Sequence, residues 1–326
     1  MTPELKREAL QKVMGLLDER YVFPEVAAAI RRSLEGKMAE GAYDGLESVE
    51  EFCSVVTADM QAVSRDKHMR LYRKDPGRMA AVPGAGDPAD YQLRRQHQNH
   101  SFAKVERLEG NVGYLDLRGF EHPSSAAGQT AVAAMQFLAG SEALIFDLRK
   151  CPGGSPGMVS LLTSYLVDEW PVHLNTFYDR TGEASYQNWT MAWVPGRRLP
   201  KVPVFVLTSG STFSAGEEFT YNLKNMKRAT IVGEKTGGGA NPGVGHAVVA
   251  DLQLFVPEGR AHNPIAKDNW EGKGIEPDIA VPAEQALEAA YAEALKKVAE
   301  NARSHEGGAW EALAKEAEGA LAKLGR

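Results

Sequence analysis

The chain has 326 residues, 43% hydrophobic and 25% charged, an ordinary globular balance with room for one large domain or two modest ones. A formal net charge of -6, a pI near 5.8 and the lack of any Lys/Arg block argue against nucleic acid or an anionic membrane as partner. The two cysteines, Cys53 and Cys151, are too far apart for a Cys-x-x-Cys metal site, and there is no disulfide framework and no HExxH.

The N-terminus, Met1 to Glu8, is polar, and no apolar run is long enough to span a bilayer. The expected location is cytoplasmic as the chain stands, or secreted or periplasmic if a leader has been removed. Residues 1–73 read as a helical subdomain. Leu10, Val13, Met14 and Leu17 recur at helical spacing, Pro24 opens a second helix with Val26, Ala29, Ile30 and Leu34 on one face, and Ser48 with Glu51 forms a capping box ahead of a third. From Asp66 to Tyr72 the period changes to alternation, which predicts a strand with His68 at its start. Residues 74–104 read as a linker, with 74–101 rich in Pro, Gly, Asp, Arg and Gln. His97 and His100 within it read as surface histidines rather than metal ligands.

Residues 105–282 alternate strand and helix, which predicts an α/β body with a mostly parallel sheet. Glu142–Arg149 is largely apolar and suits a strand covered on both faces. It runs into Cys151-Pro-Gly-Gly154. A second apolar strand, 204–208, ends in Ser209-Gly-Ser-Thr-Phe-Ser214, and a helix follows from Ala215. Strand, tight turn and helix can hold one hydroxyl at a helix N-terminus, where unpaired N–H groups favour negative charge. Ser214 is the expected nucleophile, although Ser214-x-x-Glu217 is also a capping box. The N–H of Ala215 and that of Gly153 or Gly154 are the expected oxyanion donors. The base must be His or Lys, and spacing does not choose among eight histidines. Trp189 and Trp193 suit a cleft or a subunit contact as well as buried core. Gly237-Gly-Gly239 is neither a P-loop nor a dinucleotide fingerprint, so no cofactor is expected. Residues 283–326 read as a C-terminal helical tail broken at Gly307-Gly308.

An ordered set of segments resembles the tail-specific (C-terminal processing) serine protease family. The likeness is to its branch without a PDZ domain, related to tricorn protease and to the repeats of interphotoreceptor retinoid-binding protein. The segments are Asp66-Lys-His68, Gly110 to Leu115, Asp147 to Gly154, Thr208 to Phe219, Arg228 to Glu234, Thr236 to Gly239 and Trp270 to Asp278. The resemblance implies a ClpP/crotonase-like core. It matches Ser214 to the nucleophile, His68 to the base and Glu271 to the carboxylate that orients the base, with Glu276 and Asp278 as rivals. The lysine of the Ser–Lys branch falls on Gly239. Lys67 departs from the Gly or Ser usual before the histidine and could lower the imidazole pKa by like charge. The implied activity is serine-type hydrolysis of peptides or unfolded proteins through an acyl-enzyme, with homo-oligomerisation open. A non-catalytic apolar-ligand module and an acyl-transfer or cyclising enzyme are the alternatives.

Overall fold

The computed structural model describes residues 1–74 and 89–325; part of the expected linker, 75–88, lies outside them. In chain order the elements are α1 (Pro3–Arg20), α2 (Pro24–Ala39), α3 (Val49–Ser64), β1 (Arg70–Arg73), α4 (Ala89–His97), β2 (Phe102–Leu108), β3 (Val112–Leu117) and α5 (Ser125–Phe137). Next come β4 (Ala143–Asp147), α6 (Pro156–Ser164), β5 (His173–Tyr178), β6 (Ala184–Trp189), β7 (Val204–Thr208), α7 (Ala215–Asn225) and β8 (Thr230–Gly233). The chain closes with β9 (Gly243–Ala247), β10 (Leu252–Pro257), β11 (Arg260–His262), β12 (Ile279–Ala280), α8 (Ala286–Arg303) and α9 (Gly308–Lys323). Part of the stretch read as linker is therefore structured: it holds the helix α4 and the start of β2 at Phe102.

The chain divides into two compact units. The first comprises residues 1–94, 176–187 and 239–262, and the second 95–175, 188–238 and 263–326. Neither is contiguous in sequence.

In the first unit, Thr2 caps α1 through Leu5 N–H at 3.2 Å, Pro24 opens α2, and Ser48 caps α3 through Glu51 N–H at 3.0 Å. Their apolar faces meet around Leu10, Leu17, Ile30, Leu34, Phe52, Val56 and Met60. The same core takes Leu71, Leu252, Leu254 and Val256 from the sheet, where β1 and β9 both run antiparallel to β10. Arg70 pairs with Phe255 and Arg73 with Leu252.

The second unit is built on a six-stranded sheet of order β12-β8-β7-β4-β3-β2, parallel except for β2. Alternation places Leu144, Phe146, Val204 and Val206 on the face covered by α5, α6 and α7. Ala143, Ile145, Phe205 and Leu207 lie on the face covered by α8 and α9. That is why these strands read as continuous apolar runs. The C-terminal ends of β4 and β7 lead directly into the glycine turn and the Ser214 turn. Among the described residues no helix is long and apolar enough to cross a membrane.

Candidate active site

Where β7 ends, hydroxyls fold the chain back on itself. Thr212 Oγ1 donates to the Leu148 carbonyl at 2.8 Å, Ser209 Oγ to the Arg149 carbonyl at 2.6 Å, and Phe213 N–H to the Cys151 carbonyl at 3.0 Å. The run Thr-Ser-Gly-Ser-Thr-Phe thus bonds the turn to the loop after β4. Ser214 follows at φ 51°, ψ -121°, a conformation that L-residues seldom adopt. It is the residue before α7, and Ala215, first in the helix, has no intrahelical acceptor for its N–H.

Glu217, fully buried, holds this corner. One oxygen accepts the Ser214 N–H at 3.0 Å, and the other accepts the Gly238 N–H at 2.7 Å and the Thr236 hydroxyl. The expected capping box of Ser214 and Glu217 is therefore in place, and the same carboxylate reaches into the glycine-rich turn.

Gly153 and Gly154 have φ of 121° and 143°. A Cβ on Gly153 would sit 2.6 Å from Ser214 Cβ and 3.1 Å from its Oγ, so this glycine faces the serine. Phe120 brackets the pair: its N–H donates to the Gly153 carbonyl at 2.9 Å and its carbonyl accepts the Ser155 N–H. A Cβ on Gly154 would lie 2.0 Å from the Phe120 carbonyl oxygen. Glycine is required at both positions by conformation and by space.

Glu271 lies in a turn bonded to the same corner. Gly272 N–H donates to the Gly238 carbonyl at 3.0 Å, Gly274 N–H to the Trp270 carbonyl at 3.0 Å, and Ile275 N–H to Thr236 Oγ1 at 2.8 Å. Trp270 is buried with its ring 5.2 Å from that of Tyr221 on α7. The rival carboxylates are engaged elsewhere. Asp278 accepts Ile231 N–H at 2.8 Å and Lys224 Nζ at 2.7 Å, and Glu276 pairs with Lys235 at 2.7 Å.

His68 belongs to the first unit. It precedes β1 instead of beginning it, because α3 ends on Arg65 in a left-handed conformation and Asp66 then makes a side-chain turn. Asp66 Oδ1 accepts the His68 N–H at 3.0 Å. Its Oδ2 accepts Asn241 Nδ2 at 2.9 Å and the Tyr21 hydroxyl at 3.4 Å. The imidazole stacks on Phe255, centroids 6.0 Å apart, with Nδ1 3.9 Å from Asp66 Oδ1. Burial and then the Arg70 guanidinium push the imidazole down to about 4. The like charge that lowers it is that of Arg70. Burial pushes the Asp66 carboxyl up, against the hydrogen bonds from Asn241 and the His68 backbone.

Two buried carboxylates, Asp66 and Glu218, were not among the residues expected at the site. Asp66 positions His68, and an Asp-x-His spacing is the local signal for such a turn. Glu218, 3% exposed, carries a carboxyl pushed by burial up to about 7. His100, read as a surface residue, pairs with buried Glu121 at 2.9 Å, alongside Arg95 at 2.8 Å. Trp189 and Trp193 are 44% and 74% exposed, so they are not core. Both cysteines are buried thiols raised by burial, Cys53 to about 11 and Cys151 to about 12, too high for thiolate chemistry at neutral pH.

The sequence profile of "Peptidase family S41" matches residues 111–281. The profile of the "N-terminal domain of Peptidase_S41 in eukaryotic IRBP" matches residues 5–102. A carboxy-terminal-processing protease of Bartonella bacilliformis is 27% identical over 222 residues, covering 64% of this chain and 46% of that protein. A carboxyl-terminal-processing protease of Synechocystis is 27% identical over 220 residues, covering 64% of this chain and 48% of that protein. The chain thus spans about half the length of the curated relatives it matches. A solved putative peptidase from Parabacteroides merdae superposes with a TM-score of 0.60 at 17% identity, over 89% of this chain and 96% of that one. At that identity the likeness is one of fold.

Proposed function

The chain belongs to peptidase family S41, and from that premise we propose that it is a serine peptidase with Ser214 as nucleophile. The observation that carries the reading is the strained Ser214 corner, with Gly153 packed against the serine Cβ at the start of α7. His68 takes the proton of Ser214 Oγ as that oxygen attacks a peptide carbonyl carbon. The carbonyl π pair moves to oxygen, and the N–H groups of Ala215 and of Gly154 or Gly153 hold the oxyanion. Glu271 accepts the other imidazole N–H and steadies the imidazolium. Collapse of the adduct breaks the C–N bond, and the imidazolium gives its proton to the leaving amine. Water, deprotonated by His68, then cleaves the acyl-serine ester.

Each group suits its role. A histidine pushed down to about 4 is a neutral acceptor at neutral pH. The Glu271 turn bonds the Gly238 carbonyl, and the Gly238 N–H donates to Glu217, which caps Ser214. With Gly239 at the lysine position of the Ser–Lys branch, histidine is the available base. Because the matched relatives are named as carboxy-terminal-processing proteases, the proposed substrates are peptides or unfolded-protein segments.

Steady-state cleavage of a fluorogenic peptide library tests this. Ser214→Ala and His68→Ala are each expected to lower kcat/KM by about 10⁴-fold or more, with peptide affinity little changed. Cleavage by Ser214→Ala at the native rate would falsify the assignment.

A further inference from the structure

Glu218 follows Ser214 by one helical turn, inside the N-terminal end of α7. Its Oε1 accepts Asn175 Nδ2 from β5 and Asn188 Nδ2 from β6, each at 3.1 Å. Asn188 Nδ2 also donates to the Pro156 carbonyl at 2.9 Å. Pro156 is the first residue of α6, which starts directly after Gly153, Gly154 and Ser155. One carboxylate and one amide therefore join the helix that carries the nucleophile to the helix that follows the oxyanion glycines.

The polarity of this link is set at both ends by backbone. Asn263 Oδ1 accepts the N–H of Ile265 at 3.0 Å and of Ala266 at 2.9 Å, so its Nδ2 faces the Leu174 carbonyl at 3.2 Å and Asn222 Oδ1 at 3.0 Å. Asn222 Oδ1 then takes Asn175 Nδ2 at 3.1 Å, which leaves Asn175 as a donor to Glu218. At the other end the Pro156 carbonyl demands Nδ2 of Asn188. Oε1 is thus an acceptor twice over, and a proton on Glu218 resides on Oε2.

The charged groups on the surrounding elements are turned to other partners. Glu217 serves Ser214 and Gly238, and Lys224 is held by Asp278. His173 on β5 stacks on Trp189 of β6 at 4.5 Å, and Asp268 pairs with Lys273 beyond Asn263. Both amides that bond Glu218 are neutral, and burial outweighs them.

We propose that Glu218 is a positioning residue that holds the Ser214 helix against the Gly153–Gly154 turn through Asn188. The inference rests on Ser214 being the nucleophile. Ionisation at Oε2 adds a negative charge one helical turn from Ser214, in the helix whose N-terminal N–H groups are the proposed oxyanion donors, and opposes them. A descending limb in rate near pH 7 follows.

The experiment is the pH dependence of fluorophosphonate labelling between about pH 5 and pH 9, with thermal unfolding of each variant as a control. The wild-type rate constant should fall above pH 7, toward about tenfold per pH unit. Glu218→Gln keeps the Oε1 acceptor and removes the charge, so its fall should vanish. Asn188→Ala cuts the link and should slow labelling on the order of 10²-fold while keeping the limb. A limb retained in Glu218→Gln, or native labelling rates in Asn188→Ala, overturns the proposal. So does a lowered unfolding temperature with an unaltered pH profile. Labelling that persists in Ser214→Ala overturns the nucleophile reading and this one with it. Ser214-dependent labelling with parallel profiles overturns only this one.

Discussion

Gly153 and Ser214 share a space that admits no further carbon. Gly153→Ala would need a Cβ 2.6 Å from Ser214 Cβ at a φ of 121°, so the turn must move. A shift of about 1 Å at this place is expected to lower acylation on the order of 10²-fold with a smaller change in KM, read by single-turnover kinetics. Titration gives a second prediction at this scale. The Glu218 carboxyl, at about 7 in the folded chain against 4.5 in the unfolded one, keeps its proton after the unfolded chain has lost it. Its contribution to stability is therefore complete below 4.5 and is lost as pH rises to about 7, by about 3 kcal/mol at most. His68 acts in the opposite sense. With its folded pKa pushed from 6.5 down to about 4, its contribution is complete above 6.5 and is lost as pH falls toward 4. Urea unfolding across this range should show Glu218→Gln gaining on the wild type as pH rises from 4.5 to 7. A constant difference between the two would count against a buried acid there.

Among the elements, α7 holds the site together. Its cap Glu217 satisfies two backbone N–H groups and a hydroxyl, and Phe219 two residues on packs against Phe120 at 5.5 Å and Phe146 at 5.2 Å. Glu217→Ala leaves buried donors unpaired and is expected to cost about 2–4 kcal/mol in denaturant unfolding. Phe219→Ala opens a cavity between helix and sheet and should cost about 3–5 kcal/mol. Much of this element was legible. Ser-x-x-Glu announces a helix start, and an apolar run before it announces a strand. What could not be read locally was that Glu217 would also bind Gly238, because that contact joins two turns 21 residues apart. The strand expected over 66–72 shows the same limit. Asp66 competes for the backbone with its side chain, so His68 sits in a turn and the strand begins only at Arg70.

At the scale of the molecule, the parallel sheet was legible because a strand covered on both faces is apolar along its length, as β4 is from Ala143 to Phe146. The composition of the two units was not. β1 pairs with a strand about 180 residues later, and no local pattern encodes that register. The site shows the same division. Ser214, Gly153 and Gly154 declare themselves by turn chemistry, whereas the proposed base His68 and the proposed orienting carboxylate Glu271 come from resemblance, since groups that meet in space can be distant in sequence. The most direct test of the central claim is tandem mass spectrometry of the intact protein after fluorophosphonate treatment. A single adduct on Ser214, strongly reduced in His68→Ala, is expected. An adduct on Ser209 or Ser211 instead, or an undiminished Ser214 adduct in His68→Ala, would contradict it.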